Sequence, residues 1–268
     1  MINNFKLSKF SKLARYEIIK QTFLKKSGHL GGALSCTDIL VNIFNRYVLD
    51  KKNNKFILSK GHCALAMYAV LYISKKIKKK QFESFSEKGS YFGEHSSPKI
   101  KNDYIHFSTG SLGHGLSFAA GISYSNKLIK KSGYTIVLMS DGEMNSGTVW
   151  EAALISSKLK LDNLIVIVDY NKFQATGKSD EILNIKPLAA KWKSFGWKVV
   201  ECDGNNHSSI NYSLKKISKS FHKPKIVIAH TIKGKGVSFM ENNNLWHYKN
   251  PNQFELSKAL KEIKKKYA

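Results

Sequence analysis

Four short segments carry residue types able to do chemistry, and each directly follows or closes an apolar run. Lys60-Gly61-His62-Cys63 follows Lys55–Ser59, and Asp141-Gly142-Glu143 follows Thr135–Ser140. Asn171, with Phe173 just after it, closes Leu164–Tyr170, and Thr231-Ile232-Lys233-Gly234 follows Lys225–His230. A carboxylate at Asp141 and a carboxamide at Asn171 are hard oxygen donors. They suit Mg²⁺ or Ca²⁺ shared with a substrate diphosphate, and Gly142 lets the backbone approach a phosphate closely. The plainer alternative is a helix cap at Asp141 and a turn at Asn171.

Two glycine-rich stretches add to this set. Ser108–Gly115 precedes a run of small residues with helical pattern. Its backbone can meet an anion or a cofactor, or its glycines can serve close helix packing. Ser27–Gly32 reads as a flexible loop presenting His29, either a proton-transfer group or an inert imidazole. Cys36, Cys63 and Cys202 are odd in number and show no CxxC pairing. They read as buried, unreactive thiols in a reducing compartment, not as a disulfide scaffold or a zinc site.

The elements that must position these residues follow from the hydrophobic pattern. β-rich runs at Lys55–Ser59, Thr135–Ser140, Leu164–Tyr170, Trp197–Cys202 and Lys225–His230 predict strands. Between them, helices are predicted at His62–Lys76, Leu112–Lys131, Gly147–Leu159, Ile185–Phe195 and Ser208–Phe221, with a first helix near the N-terminus. Alternating βαβ units imply an α/β fold, a doubly wound, mostly parallel sheet flanked by helices. Ligands of such sheets sit beyond the carboxyl ends of the strands, where the four segments fall. A right-handed crossover brings Asp141 and Asn171 side by side. No Pro-, Gly- or Ser-rich linker interrupts the chain, so residues 1–268 read as one domain.

Composition excludes several classes. The 268 residues carry a net charge of +25, but Arg15 and Arg46 are the only arginines. Nucleic-acid recognition favours the bidentate guanidinium, so a nucleic-acid partner is not expected. A positive field that draws in anionic small molecules is. No run approaches the ~20 apolar residues of a membrane span, and no secretory signal opens the chain, so a cytoplasmic protein without a membrane partner is expected.

Taken together, Gly28-His29, Ser59-Lys60-Gly61-His62, Ser108–Gly115, Asp141-Gly142…Asn171 and Lys233–Val237 followed by Trp246-His247 resemble the transketolase family in order and spacing. The likeness is to its thiamine-diphosphate-binding N-terminal domain and spans residues 5–255. The Asp-Gly…Asn motif alone points only to a thiamine diphosphate enzyme. The histidines and the two glycine-rich signatures point to transketolase, in the branch split over two chains.

The resemblance implies that Asp141, Asn171 and the carbonyl of Phe173 hold the divalent ion, Mg²⁺ or Ca²⁺. Gly142 and His62 then contact the diphosphate. Gly110 and Leu112 meet the rings of thiamine diphosphate, with Ser111 between them also among the cofactor contacts. His29 and His247 face the reacting carbon as catalytic groups, and His95 lies in the substrate channel. The implied reaction moves a two-carbon ketol unit from a ketose phosphate to an aldose or related aldehyde. Family members need a second, pyrimidine-binding domain, so a C-terminal partner subunit is implied, two of each in a heterotetramer. Two departures stand out: Asn145-Ser146 where the family usually has an acid, and Glu94-His95-Ser96-Ser97-Pro98 in place of Gly-His-Pro. The alternatives are half of a 2-oxo acid decarboxylase or dehydrogenase, half of a deoxyxylulose-phosphate synthase, or a non-catalytic Lys-rich binding protein.

Overall fold

The computed structural model describes residues 3–49, 51, 53–99 and 103–266. Five strands, β1 (Lys55–Leu58), β2 (Thr135–Ser140), β3 (Leu164–Tyr170), β4 (Lys198–Asp203) and β5 (Lys225–His230), form one sheet in the order β1-β2-β3-β5-β4. Every pairing is parallel. All side chains of β2 and β3 are buried, as strands covered on both faces require.

The two faces have separate cores. Ile136, Leu138, Ile165, Ile167, Val227 and Ala229 point to one side, where they meet α1 (Asn4–Lys25), α2 (Leu30–Ile43), α3 (Ala64–Ile73), α9 (His207–Ser218) and α10 (Gln253–Lys266). Short helices α4 (Lys79–Glu83) and α7 (Ser179–Ile182) lie in the connections. Val137, Met139, Val166, Val168, Ile226 and Ile228 point to the other side, toward α5 (Gly115–Leu128), α6 (Gly147–Lys158) and α8 (Leu188–Ser194). Alternation along each strand thus feeds both layers.

The doubly wound parallel sheet is as expected from the sequence, and the strands agree to within a residue at each end. The helices are trimmed: His62–Lys76 is a 3₁₀ turn (Gly61–Cys63) followed by α3, and Ile185–Phe195 shortens to α8. One expectation is overturned. Ser27–Gly32 is not a flexible loop presenting His29, because α2 begins at Leu30 and buries Gly31 and Gly32 in its first turn. Only Lys26–His29 form the turn. The two glycines serve close packing: a Cβ on Gly31 would lie 3.2 Å from the Lys233 side chain, and one on Gly32 3.1 Å from Cys63 Sγ.

Buried polar groups tie the helical layer to the strand ends. Arg15 on α1 donates a fork to Asp38 on α2, at 3.0 and 2.7 Å. Asn205 donates to Asp38 Oδ2 at 3.0 Å and accepts from the backbone N–H of Ile232 at 3.0 Å, holding the turn after β5.

Gly61 marks a close approach between the turn after β1 and the strap of residues 103–112. A Cβ there would overlap the carbonyl oxygen of Thr109 and sit 2.6 Å from its carbonyl carbon. Backbone cannot swing aside as a side-chain tip can. Gly61→Ala is therefore expected to destabilise the fold by about 2 kcal/mol, read as a lowered midpoint in urea unfolding. An unchanged midpoint would contradict the close approach.

Candidate active site

All four chemistry-bearing segments emerge at the carboxyl edge of the sheet. Ser140 pairs with Asp169 and Tyr170 with His230, so Asp141 and Asn171 leave neighbouring strands side by side. Between these ends and the N-terminus of α2 lies a cavity of about 280 Å³. His29, His62, His95 and His247 share it with Gly110, Leu112, Gly142, Asn171 and Phe173. Residues nearly 220 apart in sequence thus meet: the His29 ring centroid is 5.2 Å from that of His62 and 5.3 Å from that of His247. Of the expected site residues, Asp141 and Ser111 are missing from the lining, Ser111 on the solvent side. Ser111 is exposed, and its carbonyl accepts from His114 Nδ1 at 3.4 Å.

Asp141 lies beneath the cavity, fully buried. Ser179 Oγ donates to its Oδ2 at 2.8 Å, and Oδ1 has no partner. Burial, with the Asp169 carboxylate nearby, pushes its pKa up to about 7. Two further buried polar atoms of cavity-lining residues have no partner, His29 Nδ1 and Gln174 Nε2. Unpaired polar atoms around one cavity call for a polar ligand. Asn171 accepts from the Phe173 N–H at 3.0 Å through Oδ1, which keeps a second lone pair. Among the described residues no group of three His, Cys, Asp or Glu could hold a metal. A cation here would rely on Asp141, the Asn171 carboxamide and the Phe173 carbonyl, a hard oxygen set suited to Mg²⁺ or Ca²⁺. The glycine at 142 fits the same purpose, since a Cβ there would meet Gln174 Cγ at 2.7 Å.

Several residues of the chemistry-bearing segments have parts in the site that sequence reasoning did not assign. Lys60 is buried and ion-pairs with Asp169; burial alone would lower its pKa, but the carboxylate outweighs that and holds it well above the ordinary value. Lys233 has only neutral acceptors: Gln174 O at 3.1 Å, Asn244 Oδ1 at 2.5 Å and His247 Nδ1 at 3.0 Å. Burial and the nearby Lys60 push its pKa down to about 8. Burial and Lys233 in turn push His247 down to about 3, so it is neutral, with Nδ1 accepting and Nε2 carrying the proton. Burial and His62 lower His29 as well. Glu143 is buried and accepts from Ser59 Oγ, Gly113 N at 2.9 Å and Ser140 N at 3.3 Å, which fixes the glycine-rich loop to the strand ends. Cys36, Cys63 and Cys202 are free and buried, as expected; at Cys63 burial favours the thiol, while neighbouring Cys36, His62 and Lys60 draw its pKa down.

A cavity at the carboxyl edge of a parallel sheet, lined by imidazoles and with a buried, half-satisfied carboxylate beside it, defines an α/β protein with a polar ligand site. The profile of the family described as "Transketolase, thiamine diphosphate binding domain" matches residues 13–263, and the chain belongs to that family. It is 36% identical over 256 residues to one subunit of an apulose-4-phosphate transketolase from Phocaeicola vulgatus, covering 93% of this chain and 90% of that one. It is 32% identical to a 6-deoxy-6-sulfo-D-fructose transketolase subunit from Clostridium sp., covering 90% of each. A transketolase structure from Leishmania mexicana superposes on all of this chain with a TM-score of 0.87 at 21% identity. This chain spans 41% of that longer protein. The chain is thus a transketolase subunit of the N-terminal, thiamine-diphosphate-binding kind.

The orphaned carboxylate carries a stability penalty. An acid whose pKa rises on folding destabilises the fold once ionised. The penalty is absent below the ordinary value of 3.8 and complete above about 7. Asp141→Asn, which keeps an acceptor for Ser179, is expected to raise the melting temperature of the metal-free chain by roughly 3 °C at pH 8 and not at pH 4. A lower melting temperature at pH 8 would show that the carboxylate is structurally compensated.

Proposed function

We propose that this chain, as a single domain over residues 1–268, is the cofactor-binding half of a two-chain transketolase in the cytoplasm. It would transfer a two-carbon ketol unit from a ketose phosphate to an aldose or related aldehyde. The observation that carries this reading is the convergence of His29, His62, His95 and His247 on one cavity above the unpaired carboxylate of Asp141. Among the described residues no helix is long and apolar enough to cross a membrane.

When bound, thiamine diphosphate supplies the nucleophile and the electron sink for breaking and making a bond beside a carbonyl. The chain's own residues hold, orient and move protons. Asp141, Asn171 and the Phe173 carbonyl would hold Mg²⁺, while Gly142 and His62 would meet the diphosphate. Gly110 and Leu112 border the ring end of the cavity. His247 is held by the Lys233 ammonium in the tautomer that donates through Nε2. His29, half-buried and with its protonation disfavoured by burial and His62, offers the complementary donor or acceptor across the cavity. A +25 chain attracts phosphorylated sugars from solution.

A partner chain is supported by the relatives that are themselves named as subunits, and by an apolar face of this chain. Phe118, Leu128, Ile129, Leu154 and Ile155, on or beside α5 and α6, are exposed, Leu128 and Ile129 by 63% and 66%. Gly121 and Gly147 leave open space on the same helices. Apolar patches of this kind mark interfaces. We assign this face to the assembly with a C-terminal subunit, two of each.

Two outcomes follow. His29→Ala and His247→Ala are expected each to lower turnover of the assembled enzyme about 100-fold with little change in cofactor affinity, while His114→Gln stays near wild type. Steady-state kinetics with the cofactor titrated in each variant decide this; loss of cofactor binding with turnover kept at saturation would reverse the roles. Second, Leu128→Asp with Ile129→Asp is expected to weaken, by tenfold or more in sedimentation velocity, the association with the C-terminal subunit. Unaltered association would move the interface elsewhere.

A further inference from the structure

His29 sits in the turn between α1 and α2, and that turn is held from outside by one carboxylate. Glu94 Oε1 accepts from Ser27 Oγ and from the Gly28 N–H at 3.2 Å. Gly28 has a positive φ of 113°, so the turn is one that a side-chain-bearing residue adopts poorly. Around this contact the end of α1 is fastened to residues 84–94 twice more, by Ser27 Oγ to Ser86 Oγ at 2.8 Å and Lys25 to Glu87 at 2.5 Å. Glu94 is followed by His95, whose carbonyl accepts from Tyr68 OH at 3.5 Å and whose ring lies 6.4 Å from that of His29. In a chain with 44 Lys and Arg, Glu94 forms no ion pair among the described residues. Its contacts are spent on the two residues preceding His29.

We propose that Glu94 is the positioning residue for His29: its carboxylate closes the Ser27-Gly28 turn and so sets where the imidazole enters the cavity. The group touches neither Asp141 nor Asn171 and positions the imidazole through the turn. The charge has a second effect. His29 faces His62, Cys63, His95, His247 and Tyr248 as well as Glu94, and burial and His62 both disfavour its protonation. Glu94, with Cys63, opposes them and favours the protonated imidazole.

The kinetic arm of the test rests on the transketolase reading; the spectroscopic arm does not. In the chain alone, the His29 ring resonance, assigned with His29→Ala, is followed by NMR against pH in wild type, Glu94→Gln and Glu94→Ala. Both substitutions are expected to move the His29 titration to lower pH, and Glu94→Ala also to broaden or shift the Gly28 amide. In the enzyme assembled with its C-terminal subunit, Glu94→Ala is expected to lower turnover about tenfold at unchanged cofactor affinity. Glu94→Gln should shift the acid limb of the pH profile downward, and Glu94→Asp should recover part of the turnover. An unmoved His29 titration and Gly28 amide in both variants would overturn the proposal, as would wild-type turnover with a wild-type pH profile. An inactive wild-type assembly would instead refute the ketol-transfer reading, with the NMR result still deciding the role of Glu94.

Discussion

The carboxylate of Asp169 is the junction on which the site is built. It is fully buried on the central strand, and it accepts from Lys60 Nζ, Thr231 Oγ1, Ser35 Oγ at 2.6 Å and Asn171 Nδ2 at 3.2 Å. Those donors come from the turn after β1, the turn after β5, helix α2 and the exit of β3 itself. One side chain therefore ties helix α2 and the turns after β1 and β5 to the end of the central strand. A buried ion pair is stabilising only when its remaining lone pairs are satisfied, and here they are. Removing the carboxylate would leave the Lys60 ammonium buried without a counter-ion, a change that typically costs about 3–5 kcal/mol.

Around that junction the site is electrostatically unfinished. Asp141 is pushed up to about 7 and Lys233 down to about 8, because each lacks an opposite charge close enough to offset burial. A cation beside Asp141 and an anion beside Lys233 would relieve both at once. The metal–diphosphate pair proposed for this site would have this polarity. The two uncompensated charges would then be a complementary imprint of that ligand.

How much of this was legible in the sequence depends on contrast. The runs Thr135–Ser140 and Leu164–Tyr170 are nearly continuously apolar, so the residues that follow them, Asp141 and Asn171, stood out and pointed to one sheet edge. Helix α2 did not stand out: all fourteen of its residues are buried, so it has no polar face to set a helical period, and its opening glycines read as loop. Lys233 is one lysine among dozens, and nothing local distinguishes an ammonium that faces a cavity from one in water. Ser111 shows the converse. It lies between two lining residues, yet its side chain is turned out to solvent, a direction that spacing does not encode.

The apolar face on α5 and α6 has a consequence for the chain before it meets a partner. Newly made copies would expose Leu128, Ile129, Leu154 and Ile155 to one another. Such faces drive clumping when copies meet. A charge of +25 on a 30.3 kDa chain acts against this as a colloidal barrier, since like-charged copies repel before their greasy helices touch. The lysine-rich surface, which carries no recognition signature of its own, would then act as a solubility coat for an orphan subunit. That protection is screened within about 8 Å at physiological ionic strength, so it discourages encounters between copies while leaving a less basic partner free to dock.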